Sequence, residues 1–473
     1  MGQCLSSQPP TNRTNTNFKL NPFMILAAYQ KTTIVTTLLW LTAIVLSGQS
    51  PNQDKNVYNE IGIISTPSGG PVSMELIGRF QHRISRPRNP NDHFDTSINS
   101  PKSVNYLPEK KKFYVQSLEG NETVVYDLLT LKKIKVIQHQ FTAQNQDLFK
   151  DDESSVFDYK FQFRTGHFNI FKGKPVESCF SHNGKYLWVS YYKRSYDLNA
   201  QNPSAVAIID TDLDEIVRVM PAGVLPKMIA SSNDNRYVAV THWGDNTVGI
   251  IDIQSSDPWQ FKYANHLIVG SRLRLSFDQN EKVDRDLNCG YCLRGTVFTP
   301  DSQYLLVGRM GGGGIAVFDI AQGFKYLGVT FTEYNNIRHL VISGDFLFVS
   351  TNSNGVVQKI NWKDFIQHRI ENAETTTTLK TGWQNCYIGP GVRTIVVTSD
   401  GRYLFGCVNE ASKIVVVDAQ SMRPIVQIPA DSFPVGMEIT EDNEFLIVTA
   451  QGKSDKGGGH SVMIYKIKYS GMQ

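Results

Sequence analysis

The stretch VTSDGRYLFGCVN, residues 397–409, followed by KIVVVDA at 413–419, is one full copy of a phrase that recurs through the chain. An apolar strand ends in a short polar turn, an aromatic residue opens a second strand, and a third strand closes on Asp. FTPDSQYLLVGRM (298–310) with GIAVFDI (314–320) is a second clear copy. Further copies are FSHNGKYLWVS, YVAVTHWGDNTVGIIDI, VISGDFLFVSTNSNGVVQKIN, ITEDNEFLIVTA and, more loosely, YLPEKKKFYVQSLEGNETVVYDL. The aromatic anchors are Phe113, Tyr186, Tyr237, Tyr304, Phe346, Tyr403 and Phe445. Their gaps are 73, 51, 67, 42, 57 and 42 residues, a unit of 42 with insertions at some joints. A repeat of about 40–50 residues built from short strands is the mark of a propeller blade, whose faces are buried only against neighbouring blades.

Each unit divides into four strands, which in the sixth are 392–398, 403–408, 413–419 and 424–429, separated by SDG, NEAS and AQSM turns. The inner strands of the seven units are SVNYLP, VESCFS, PKMIAS, LRGTVFT, IRHLVIS, VRTIVVT and PVGMEIT. Before the first of them stands MELIGRFQH (74–82), an outer strand without a blade, while the seventh unit ends at YKIKYSGMQ without an outer strand. The expectation is an all-β, seven-bladed propeller over 74–468, its ring closed by the N-terminal strand so that no sheet edge is left open. YVAVTHWGDNTVGIIDI and its siblings resemble the YVTN-type β-propeller repeat of bacterial exported and surface proteins, which is related to the lactonase-type seven-bladed propellers. The resemblance covers most of the chain. It implies fold and an exported location, whereas the scaffold hosts binders, surface-layer proteins and lactone hydrolases alike.

Residues 1–48 read as a leader and 49–73 as a linker. The apolar run TTIVTTLLWLTAIVL (32–46) has the length of a signal-peptide core, and Ser47 and Gly48 offer a cleavage point; Met24 is an alternative start. The expected location is the periplasm or the cell surface, with membrane contact only through this segment if it is uncleaved. MGQCLS matches a myristoylation pattern, which the following apolar run makes a coincidence. Composition is 41% hydrophobic and 19% charged, and the net charge of +3 gives no nucleic-acid signature. Of six cysteines, Cys179 and Cys407 fall inside strands, and Cys289-Gly-Tyr-Cys292 reads as a local disulfide. Neither a haem attachment nor a metal site is supported, and no cofactor is expected.

Ten positions before each anchor stand Ser103, Val176, Lys227, Arg294, Arg393 and Val435, with Arg338 equivalent in the fifth unit, whose turn is two residues shorter. Four consecutive blades thus present a cation, Lys227, Arg294, Arg338 and Arg393, at one level of the channel mouth. Convergent guanidinium groups favour a carboxylate or phosphate, on a small molecule or a protein partner. The alternative is that each cation pairs with a carboxylate such as Glu177 or Glu438. His242, Trp243, Asp245 and Asn246, the YYKRSYD segment from Tyr191, Arg309 before Gly311–Gly314, and Lys453, Lys456 and His460 are further candidates on the mouth loops. No nucleophile elbow is present. The sequence favours a binding protein over an enzyme. The second hypothesis is a hydrolase of sugar lactones, with Glu177 or His339 as general base and arginine facing the oxyanion.

Overall fold

The polar turn of the repeat is held by one hydroxyl doing two jobs. In the computed structural model Thr398 Oγ1 donates to Asp400 (2.5 Å) and accepts from the backbone N–H of the anchor Tyr403 (3.1 Å). Thr440, Asp442 and Phe445 repeat the arrangement, as do Thr299, Asp301 and Tyr304, and Ser232, Asp234 and Tyr237. In the fifth unit the turn is tighter, because Ser343 pairs directly with Phe346. The anchor is thereby set at the start of a second strand that is buried along its whole length, as in Tyr237–His242 and Tyr403–Val408. Burial on both faces explains why these strands are apolar runs and not alternating ones.

The structure describes residues 59–65, 70–149, 169–274, 283–452 and 460–470. The leader, part of the linker, Lys453 and Lys456 lie outside them. Among the described residues no helix is long and apolar enough to cross a membrane. Seven antiparallel sheets follow one another along the chain, with inner strands Pro101–Leu107, Phe171–Ser181, Pro226–Ser231, Leu293–Phe298, Ile337–Ser343, Val392–Val397 and Pro434–Ile439. They are called blades one to seven here. The hydrophobic core lies between blades. Tyr403, Phe405 and Val416 of blade six, for example, pack with Leu446 and Val448 of blade seven and Met74 and Leu76 of the closing strand.

That closing strand runs Val72–Gln81 and pairs antiparallel with Ser461–Tyr469, from Val72 opposite Tyr469 to Gln81 opposite Ser461. The N-terminal strand therefore completes the last blade as the repeat count requires. Part of the expected linker is also fastened to the ring: Ile64 bridges Glu75, and the Asn59 backbone N–H donates to Asp431 (3.0 Å). Blade five departs from the simple repeat. Its third strand runs into a helix, Trp362–Glu371, and the chain adds Thr375–Thr378 in parallel to the edge of blade four before Gln384–Tyr387 completes blade five.

Candidate functional site

Every inner strand carries a β-bulge at the same level, where its pairing with the second strand slips. The slips fall between Pro101 and Val104, Pro175 and Glu177, Pro226 and Met228, Leu293 and Thr296, Ile337 and His339, Val392 and Ile395, and Pro434 and Gly436. The residues released from the ladder include Val176, Lys227, Arg294, Arg338, Arg393 and Val435, the column picked out by the repeat spacing. In blade one Lys102 and Ser103 are released together. A bulge re-aims the side chain it carries. Here the same bulge in successive blades forms a ring around the channel, with cations on blades one, three, four, five and six.

The cations sense one another. Burial lowers the Arg338 guanidinium well below its usual range, and Arg294 and Arg393 lower it further. Arg393 is brought down to about 10 by burial and then by Arg294. Lys227 falls to about 8, chiefly by burial and against the pull of Asp286. Lys102 is depressed by burial and then by Arg393, Arg294, Arg338 and Lys227 together. Arg294 is buried, whereas the other four keep a minor part of their surface exposed.

Countercharge is sparse. Arg294 donates to Glu177 and to the Lys227 carbonyl. Lys227 pairs with Asp286 at 2.5 Å and lies 3.9 Å from the Trp243 ring and 5.0 Å from the Tyr192 ring. Trp243 Nε1 donates to the Asp286 carbonyl (3.2 Å). Arg338 and Arg393 have no ion pair among the described residues. Arg338 reaches Met310 Sδ (3.3 Å), and Arg393 lies over Phe433 (4.8 Å) with its buried Nε unpartnered. Among the described residues, five cations thus face two ion-paired carboxylates. Glu438 pairs with none of them.

Below the ring lies a cavity of about 320 Å³ lined in part by Glu177, His339, Met228, Thr394 and Glu438. Burial, Arg294 and Arg338 hold the His339 imidazole down to about 3, and its Nδ1 accepts the Ile395 N–H (3.4 Å). It is neutral at physiological pH. Glu177 and His339 therefore share one cavity, adjacent to the arginines.

The other candidates scatter. His242 is fully buried at the end of its strand: Nε2 accepts the Gly223 N–H (3.0 Å), so Nδ1 carries the proton for Thr247 Oγ1 (2.8 Å). Although His242, Asp245 and His266 cluster within 4.8 Å, this tautomer leaves His242 no lone pair for a metal. Asn246 is buried and accepts the Tyr291 N–H (2.8 Å), and Arg309 is buried 3.7 Å over the Tyr291 ring. Tyr191 and Arg194 are buried within blade two, and His460 Nδ1 accepts the Ser100 N–H (3.0 Å). Cys289 and Cys292 are joined in a disulfide that packs against the Gly311 turn.

The family model for lactonase, 7-bladed beta-propeller, matches residues 179–457. No curated protein is similar enough to the chain to match. Among solved structures, the chain is similar to Kuenenia stuttgartiensis hydrazine synthase, at 14% identity and a TM-score of 0.51, over 82% of this chain and 100% of that one. It is also similar to the Cps50 (Swd1) beta-propeller domain of Myceliophteria thermophila, at 12% identity and a TM-score of 0.50, over 78% of this chain and 97% of that one. At such identities the likeness to both structures is one of fold.

Proposed function

The chain belongs to the seven-bladed β-propeller lactonase family, and on that footing we propose that it binds a small carboxylate- or phosphate-bearing molecule, or a partner segment of that chemistry, at the bulge ring of its channel. The observation that carries the reading is the crowding of Lys102, Lys227, Arg294, Arg338 and Arg393, with Arg338 and Arg393 making no ion pair among the described residues. Like charges held together in a partly desolvated site destabilise one another, and a bound anion relieves all of them at once. Guanidinium groups on neighbouring blades also supply paired donors for a planar or tetrahedral oxyanion. Calorimetric titration with inorganic phosphate at pH 7 tests this. Arg338→Ala/Arg393→Ala should weaken binding about tenfold or more, each lost charged hydrogen bond being worth about 1.5–3 kcal/mol, with the melting temperature retained. Unchanged affinity in the double variant would sink the reading.

Hydrolysis of a lactone is a second reading, favoured by the family and by the shared cavity of Glu177 and His339. In it, Glu177 takes a proton from water as the water oxygen attacks the lactone carbonyl, and arginine faces the oxyanion. The ring C–O bond then opens as Glu177 returns the proton to the departing alkoxide oxygen. Turnover of sugar lactones that disappears in Glu177→Gln is the expected result; no turnover on any of them removes this reading. We also read the repeat as YVTN-type, and the protein as exported to the periplasm or cell surface. The apolar run 32–46 supports export, and a disulfide between Cys289 and Cys292 suits an oxidising compartment. N-terminal sequencing of protein from its native host should begin near residue 49, and an intact Met1 would refute cleavage.

A further inference from the structure

Beneath the bulge ring the channel changes chemistry. Asn105 stands two residues beyond the bulge residue Ser103, and Glu438 three beyond Val435, on the adjoining inner strands of blades one and seven. At about 3.3 Å per residue, both lie roughly 7–10 Å along the channel from the ring. Both line the cavity of about 320 Å³, whose wall there also includes Met228, Val341 and Ile439.

Asn105 is held from behind by a chain of hydrogen bonds. Its Oδ1 accepts from Ser178 Oγ (2.5 Å), which accepts from Gln116 Nε2 (3.1 Å). Gln116 Oε1 accepts from Thr123 Oγ1 (2.5 Å), which also contacts His139 Nε2 (2.7 Å), and His139 Nδ1 contacts the Tyr191 hydroxyl (2.7 Å). Thr123 has one proton and gives it to Gln116. His139 must therefore donate through Nε2 and accept from Tyr191 through Nδ1, the neutral form that burial enforces by lowering its pKa to about 3. Gln116, Thr123, His139 and Tyr191 are completely buried. The hydrogen bonds all run one way and end on Asn105 Oδ1, so turning the amide over requires every link of the chain to reverse. Its Nδ2 donor has no protein partner among the described residues.

Glu438 offers the second donor. It makes no hydrogen bond or ion pair among the described residues, and burial alone raises its carboxyl to about 8. At neutral pH it is a carboxylic acid with an O–H to give. Cations at the ring and two uncharged donors below it are complementary to a molecule with charge at one end only.

Resting on anion binding at the ring, we infer that the cavity selects an organic acid carrying an uncharged oxygen acceptor, a ketone or ether, about 7–10 Å from its anionic group, with Asn105 and Glu438 as specificity-determining residues. Calorimetry on the full chain at pH 7 with inorganic phosphate, heptanoate and 6-oxoheptanoate tests it. The oxo acid should bind about tenfold more tightly than heptanoate, the effect of one to two neutral hydrogen bonds. Glu438→Leu should bring the two acids close to equal affinity without changing that for phosphate, whereas Glu438→Gln, which keeps an uncharged donor, should keep the preference. Equal affinity for the two acids in the unaltered protein, with phosphate still bound, overturns this inference and leaves the ring. A preference that persists undiminished in Glu438→Leu also overturns it. Failure of phosphate and both acids to bind overturns the ring reading, and this inference with it.

Discussion

Three histidines, His139, His242 and His339, are held neutral by burial, each with its pKa brought down to about 3. The ordinary value of an unfolded histidine is about 6.5. Between the two values the unfolded chain binds more protons than the folded one, so stability is fully present above about pH 6.5 and is lost as pH falls. Each histidine adds up to about 1.4 kcal/mol per pH unit to that loss. Urea unfolding midpoints should therefore drop from pH 7 to pH 5, and less so in His242→Gln than in the parent protein. Identical midpoints at the two pH values would refute the buried-neutral assignment. At this scale the sequence was partly legible. Repeat spacing found Lys227, Arg294, Arg338 and Arg393 because the bulge recurs at a fixed distance from the anchor. It landed on Ser103 and missed Lys102 because the bulge of blade one stands one residue further from its anchor than those of blades four and six. Val104 resumes the ladder nine residues before Phe113, where Thr296 and Ile395 stand eight before their anchors. Asp286 sits in an insertion outside the repeat register and gave no spacing signal. His242 looked like a loop residue at the mouth but is the last residue of its strand, pinned by Gly223 and Thr247.

The closing strand is secured by more than its ladder. Arg79 is 3% exposed and donates to Asp92, to Asp431 (3.3 Å) and to the Asn59 carbonyl (2.9 Å). One side chain thus ties the strand to the segment before it, to the segment after it and to the joint entering blade seven. Removing one partner of a buried ion pair costs about 3–5 kcal/mol, because the remaining charges stay buried. Arg79→Ala should lose that much in equilibrium unfolding, far more than Lys468→Ala, whose partner Glu75 lies on the same strand pair but at the surface. Equal effects of the two substitutions would mean that the strand is held by its backbone ladder alone. The strand itself was readable as an unpaired outer strand at one terminus facing a missing one at the other. The helix of blade five was not, since it is an insertion between the third and outer strands, outside the repeat register. Its own signals are local: Asn361 caps the N-terminus, and Trp362, Phe365, Ile366 and Arg369 form one buried face.

A net charge of +3 spread over 473 residues says little about binding, yet the ring gathers five of the cations into one channel. Charge at the ring therefore decides how the whole molecule meets anions. One group of the ring and one beneath it titrate near pH 8. Lys227, lowered by burial, loses its positive charge as pH rises through about 8, and Glu438, raised by burial, gains a negative one in the same range. Both changes oppose an anion, and Arg393, at about 10, follows only later. Sulfate, whose own charge is constant over this range, is the suitable probe. Its affinity should be level between pH 6.5 and 7 and fall about tenfold or more by pH 9. Raising ionic strength at fixed pH should weaken it as well, the Debye length being only about 8 Å at physiological salt. Lys227→Arg, which stays charged past pH 9, and Glu438→Gln, which does not ionise, should each flatten part of the fall, and together most of it. A pH profile that stays flat through 9 in the unaltered protein would show that sulfate does not sense these two groups, and would move the anion site away from the ring.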